Sequence, residues 1–168
     1  LRFAAENGLP GAQMVGIYLE GPFLSHEKKG AMKETALCPP DVALLQRLNE
    51  ASGRLVRLVA LAPELSGAEA FISFCKQNNI VVSLAHTAAD YDTAKRGFEW
   101  GISHITHLYN AMSSFYHREP GAVGAAFESN ATAELVCDGF HVAPAAVRIA
   151  VRLLGPDRVC FISDDTML

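Results

Sequence analysis

Short runs of nearly unbroken apolar residues recur along this chain, separated by stretches of helical periodicity, and that alternation restricts the fold more than any other feature. The runs cover 14–19, 55–61, 80–85, 102–106, 133–137 and 159–162. A strand with one wet face alternates apolar and polar residues, so a continuous apolar run predicts a strand covered on both sides. Strands of that kind, spaced by helices, predict an α/β fold with a parallel sheet.

The intervening segments carry their own boundary signals. Asp41 is placed to cap a helix over 42–51, with Val42, Leu45, Leu48 and Ala51 on one face and Gly53 beyond its end. Ser66 and Glu69 fit a capping box ahead of a helix over 70–77. Segments 89–100 and 144–154 stop at Gly101 and at Gly155-Pro156, since glycine accepts a left-handed turn and proline cannot continue a helix. No repeat, low-complexity stretch or linker interrupts the chain, so residues 1–168 are expected to form one domain. Both a doubly wound sheet and part of a (β/α)8 barrel fit this pattern, but a whole barrel takes ~250 residues. Polar residues gathered just after the strands, and the lack of a glycine-rich phosphate loop, favour a piece of a barrel.

Half of the residues are apolar and 19% are charged, a globular composition. A net charge of −4 argues against nucleic acid as a partner. No run reaches the ~18 apolar residues of a membrane span, which argues against a membrane partner. The first residues do not resemble a signal peptide. Cys38, Cys75, Cys137 and Cys160 form no CxxC pair; the last three sit in apolar runs and read as core residues, which points to a reducing cytoplasm.

Glu20, His86, His107 and Asp164 each stand at the end of such an apolar run. In a parallel sheet all would project from the same C-terminal edge, where α/β enzymes place their sites. A histidine after a strand is, on its own, more often capped or solvated than a ligand. Recurrence in the same topological slot changes that balance. One carboxylate and two imidazoles suit a divalent transition metal with an open position for water, and Asp164 would stand ready to take that water's proton.

The run Tyr18-Leu19-Glu20-Gly21-Pro22-Phe23-Leu24, with Lys29-Gly30-Ala31, resembles the N-acetylglucosamine-6-phosphate deacetylases of the amidohydrolase superfamily. Ala85-His86-Thr87, Thr106-His107-Leu108-Tyr109-Asn110-Ala111-Met112, Arg118-Glu119-Pro120-Gly121, Asp138-Gly139-Phe140-His141 and Ser163-Asp164 extend the resemblance over almost the whole chain. It implies a partial (β/α)8 barrel of the metal-dependent hydrolase type, lacking the first strands and an accompanying β-sandwich. It also implies hydrolysis of N-acetylglucosamine 6-phosphate to glucosamine 6-phosphate and acetate, in amino-sugar catabolism. Glu20, His86 and His107 match the metal ligands, zinc being favoured and iron, cobalt or manganese admitted by the donor set. Asp164 matches the acid/base that activates the attacking water and then protonates the leaving amine. Asn110 and the backbone of Ala111 match positions that hold the sugar phosphate, and His141 matches a substrate-contacting histidine. Arg118 matches a phosphate-binding arginine that reaches the neighbouring site of a homodimer.

Some residues depart from that pattern or stay outside it. Met32 falls where many relatives carry His or Gln, and its thioether is only a weak acceptor. Asp165 follows Asp164 where relatives have a small residue. His104 reads as strand-end structure, and His26 and His117 as surface loop. Phe71, Phe74 and Trp100 read as core. Two other functions fit the residues: a deacylase of another N-acylated sugar, and a non-catalytic α/β fragment that retains the site residues.

Overall fold

The computed structural model describes residues 2–8, 11 and 13–164. Its strands are β1 (Ile17–Leu19), β2 (Val56–Leu61), β3 (Val81–Leu84), β4 (His104–Ile105), β5 (Thr132–Val136) and β6 (Val159–Ile162). They form one sheet in the order β1-β2-β3-β4-β5-β6, and every neighbouring pair is parallel. A doubly wound sheet reverses its strand order at a switch point. This order never reverses, so the curled sheet has the sequential winding of a barrel segment.

Helices α1 (Arg2–Asn7), α2 (Val42–Ala51), α3 (Ala68–Gln77), α4 (Tyr91–Trp100), α5 (Gly121–Glu128) and α6 (Pro144–Leu154) complete the described elements, with short 3-10 turns at Glu34–Ala36 and Pro156–Arg158. From α3 to α6, each helix packs against the next, as strands and helices wind together. The core lies between them and one face of the sheet. Val59, Leu61, Val82, Leu84, Ile105 and Leu135 meet Phe71, Ile72 and Cys75 of α3 and Ala94 of α4 there. Full burial of one such side chain is worth ~1.5–3 kcal/mol. Phe74 and Trp100 pack on the same core from its margin, as expected.

Alternate strand residues turn to the other face, which is polar in the middle of the sheet. Ser83, Thr106 and Tyr18 join hydroxyls there, with 2.6 Å between the Ser83 and Thr106 oxygens. His104 lies 2.6 Å from Thr132 Oγ1 through Nδ1 and 3.3 Å from Glu134 Oε1 through Nε2, the structural role expected of it.

Helix boundaries follow the capping chemistry, with corrections. α2 and α6 span the expected residues. Asp41 Oδ1 accepts the Leu44 N–H at 3.0 Å, and Leu45 is the buried residue of the predicted α2 face. Asp90, inside the segment read as helical, is instead the N-cap of α4 and accepts the Thr93 N–H at 2.8 Å. α3 begins at Ala68, and Ser66 does not cap it; Gly67 does, at φ 88° without a side-chain bond. The turn before it supplies the partners instead, with Leu65 O accepting the Ala68 N–H at 3.1 Å. α5 went unpredicted because Gly121–Ala126 are all buried, so it shows no one-sided apolar stripe. Its first residue must be glycine: φ is 60°, and a Cβ would lie 2.6 Å from Ser114 O.

β1, β2, β3 and β4 are shorter than their apolar runs, β6 matches its run, and β5 is shifted by one residue. Residues 14–16 lie outside β1, and Val15 is 81% exposed. Cys75 is buried as expected, but Cys137 and Cys160 are exposed. Cys137 lies past the end of β5, and Cys160 stands on β6, an edge strand of the sheet.

Candidate functional site

The C-terminal strand ends make one polar rim. Leaving a buried strand sharply, while keeping the next side chain turned inward, requires left-handed backbone. Gly21 after Glu20 supplies it at φ 108°, but His86 at 43°, His107 at 31° and Asp164 at 53° adopt it without being glycine. Each such residue costs ~1–3 kcal/mol and persists only where its surroundings hold it.

Glu20, His86 and His107 converge. Glu20 Oε1 lies 3.0 Å from His86 Nε2 and 3.3 Å from His107 Nε2, and the two Nε2 atoms are 3.1 Å apart. The rings meet edge to face at 79°. His86 Nδ1 donates to Lys28 O at 2.7 Å, which fixes the ring with Nε2 facing the carboxylate. His86 and His107 are 6% and 3% exposed, whereas the Glu20 side chain is open at 40%. His107 Nδ1 is buried with no hydrogen-bond partner. Hydrogen bonds from His107 and His86 pull the Glu20 carboxyl down to about 2. Burial opposes charge on His107, but the Glu20 hydrogen bond and charge outweigh it and raise that imidazole. Among the described residues, this is the group of His, Cys, Asp and Glu whose donor atoms could hold a metal ion, all within 4.8 Å of one another. Packed imidazole nitrogens aimed at one anionic oxygen fit a divalent cation better than they fit each other.

The other expected residues fall at varying distance from that centre. Asp164 shares with Glu20 an open cavity of about 560 Å³, lined also by Tyr18, Thr106 and Glu134. Asn110 closes a turn onto His107 O, from its backbone N–H at 2.9 Å and its side-chain Nδ2 at 3.3 Å. Ala111, at φ 50°, accepts the Thr87 N–H on its carbonyl at 3.0 Å, tying the two histidine loops together. Arg118 is exposed and lines a separate cleft beside Lys28, Ser113 and Tyr116. His141 is exposed on the loop after β5, where its Nδ1 donates to Asp138 Oδ2 at 2.6 Å. Backbone N–H groups of His141 and Phe140 hold the Asp138 carboxyl down to about 2. The triad and Asp164 are thus brought to one rim, while Arg118 and His141 make no bond to it. His26 and His117 are exposed, as expected.

Met32 packs beside Leu24, Ala60 and Ala85, with its Sδ 3.5 Å from where a Gly21 Cβ would stand. It therefore borders the residue after Glu20 with a side chain that offers no proton. Asp165 lies outside the described residues. One functional candidate escaped the sequence reading: Glu64, whose carboxylate accepts hydrogen bonds from Thr87 and Ala88. It sits three residues past β2 rather than directly after it, in Ala62-Pro63-Glu64.

No protein-family model matches the chain. It is 40% identical over 162 residues to the N-acetylglucosamine-6-phosphate deacetylase of Bacillus subtilis, covering 96% of this chain and 41% of that protein. It is 39% identical to the N-acetylgalactosamine-6-phosphate deacetylase of Escherichia coli O157:H7, covering 95% of this chain and 42% of that one. A structure of a mutant N-acetyl-D-glucosamine-6-phosphate deacetylase from Mycobacterium smegmatis, in complex with N-acetyl-D-glucosamine-6-phosphate, matches at a TM-score of 0.85 and 38% identity. That match covers 88% of this chain and 39% of the other, so the chain spans about two fifths of the length of these relatives. By sequence and by backbone alike, the chain is homologous to the N-acetylglucosamine-6-phosphate deacetylases over that part of their length.

Proposed function

We propose that the chain is the metal-binding part of a hydrolase that removes the acetyl group from N-acetylglucosamine 6-phosphate, yielding glucosamine 6-phosphate and acetate. The observation that carries the reading is the convergence of Glu20, His86 and His107 at the strand ends. A divalent cation held there, zinc by preference, would supply a Lewis acid for the amide carbonyl and lower the pKa of water. Glu20, kept ionised, neutralises part of the ion's charge. The Lys28 carbonyl keeps His86 in the tautomer that presents Nε2. Asp164, on the same cavity, takes the proton of the attacking water and returns it to the departing amine. Met32 cannot polarise the carbonyl by proton donation, which leaves that task to the cation.

Asn110 and the Ala111 backbone grip the sugar phosphate, and His141, oriented by Asp138, contacts the substrate. Arg118 binds the phosphate of a neighbouring subunit's substrate in a homodimer, which accounts for its exposed loop away from this chain's own triad. Residues 1–168 form one barrel piece, completed by first strands and a β-sandwich outside it. A phosphorylated sugar does not cross membranes unaided, which supports a cytoplasmic enzyme. No helix among the described residues is long and apolar enough to cross a membrane.

The galactosamine relative supports a second reading, in which the epimeric sugar phosphate is the substrate. Turnover and metal content of the whole protein test both. A stoichiometric divalent ion, lost in Glu20→Ala, with preference for the gluco epimer is expected; preference for the galacto epimer would favour the second reading. A folded protein without bound metal would refute both. Arg118→Ala raises KM for the phosphorylated sugar alone; equal effects on unphosphorylated sugar would remove its assigned role.

A further inference from the structure

We propose that Glu64 is a positioning residue for the metal centre: reaching from the end of β2, its carboxylate holds the backbone that follows His86 and so fixes that imidazole. The inference rests on reading Glu20, His86 and His107 as metal ligands. Those three stand at the ends of β1, β3 and β4. β2 lies between β1 and β3 in the sheet and contributes no member of the triad. Its own strand-end acid is turned to the neighbouring loop instead.

Both Glu64 oxygens are engaged there. Thr87 Oγ1–H donates to Oε2 at 2.5 Å, and Ala88 N–H donates to Oε1 at 2.7 Å. The Thr87 oxygen in turn accepts the Ala89 N–H at 3.0 Å, so one carboxylate organises the backbone from residue 87 to residue 89. On the other side, His86 O accepts the Ser25 N–H at 3.0 Å, and Nδ1 donates to Lys28 O at 2.7 Å. His86 is thereby gripped through its ring, its carbonyl and the two residues that follow it. Such a grip is needed because the residue stands at φ 43°, left-handed backbone that a buried histidine does not adopt by preference. Without Glu64 the backbone after His86 loses its two acceptors, and the ring loses the fixed direction of Nε2. A glutamine keeps the clamp: its oxygen still accepts from Ala88, and its amide donates to Thr87 Oγ1.

The test uses the whole protein, with zinc affinity measured by chelator competition and the urea midpoint of the metal-free protein measured alongside. Glu64→Ala is expected to weaken zinc binding by about 10–100-fold, the usual range for outer-shell partners, and Glu64→Gln to stay within about threefold of wild type. A folded Glu64→Ala with unchanged affinity overturns the inference, as does Glu64→Gln falling as far as Glu64→Ala. If Glu64→Ala does not fold, Thr87→Val removes one arm of the clamp; a several-fold loss supports the inference and no loss overturns it. Wild-type protein that binds no zinc refutes the metal centre itself and the inference with it. Zinc-binding wild type with an indifferent Glu64 refutes the inference alone.

Discussion

Replacing His107 by alanine separates what the imidazole does for the fold from what it does for the metal. The ring is 97% buried, so its deletion leaves a cavity, and large-to-small changes in such places cost ~2–4 kcal/mol. His107 Nδ1, however, is buried without a partner, and an unsatisfied buried polar atom costs ~1–3 kcal/mol that the deletion removes. The two effects oppose, but the lost contact with Glu20 adds to the first, and the metal-free variant is expected to lose about 2 kcal/mol. With zinc at ~1,000 times the wild-type dissociation constant, wild type gains about 4 kcal/mol. A variant missing one of three donors, binding ~1,000-fold more weakly, gains about 0.4 kcal/mol or less at the same concentration. Urea unfolding of both proteins, with zinc and with chelator, therefore gives a difference of about 2 kcal/mol without metal and one larger by about 3.7 kcal/mol with it. Equal differences under the two conditions would mean that His107 is a packing residue, and the assignment of the triad would fall.

Asp164→Asn keeps the cavity shape but removes the proposed base; zinc affinity stays near wild type while kcat falls by ~10²–10⁴, and an unchanged kcat would move the proton transfer elsewhere. Phe71→Ala costs ~3–5 kcal/mol in urea unfolding. Because Phe71 lies 4.6 Å from Phe23, in the loop after Glu20, zinc affinity falls with it. Asp41→Ala removes only a helix cap and lowers stability by about 1 kcal/mol with no change in zinc affinity; a loss of affinity would show that α2 supports the site.

What could be read from the sequence follows from where each interaction is local. Strands covered on both sides announce themselves as apolar runs, and β2, β3 and β6 were found to within a residue at each end. The acid and histidines of the triad were legible because each stands directly at the end of such a run. The strand order was legible in part: polar strand ends and the lack of a glycine-rich phosphate loop favoured a barrel piece, and the unreversed order agrees. α5 escaped because a helix buried all round has no polar face to set a period. Cys160 was misjudged because burial of an edge strand depends on what lies beside it, not on its own residues. Glu64 was passed over because its partners, Thr87 and Ala88, lie 23 and 24 residues away and nothing near it marks the contact. The left-handed backbone at His86, His107 and Asp164 was equally invisible, since none of these residues prefers it.

The parallel order of the strands also bears on when the metal can bind. His86 and His107 are 21 residues apart and belong to one β3–α4–β4 unit, whereas Glu20 is 66 residues from His86 and 87 from His107. A chain in which only that unit has folded presents two imidazoles and no Glu20 carboxylate. The carboxylate arrives when β1 docks on β2 and the intervening strand is in register. Closure over that separation is slow, and nothing compensates it until the contacts form. Unlike a zinc finger, whose ion nucleates the fold, this site would reward assembly only after most of the sheet exists. An ion held there would act as a late lock, tightening a completed structure and leaving partly assembled ones to come apart.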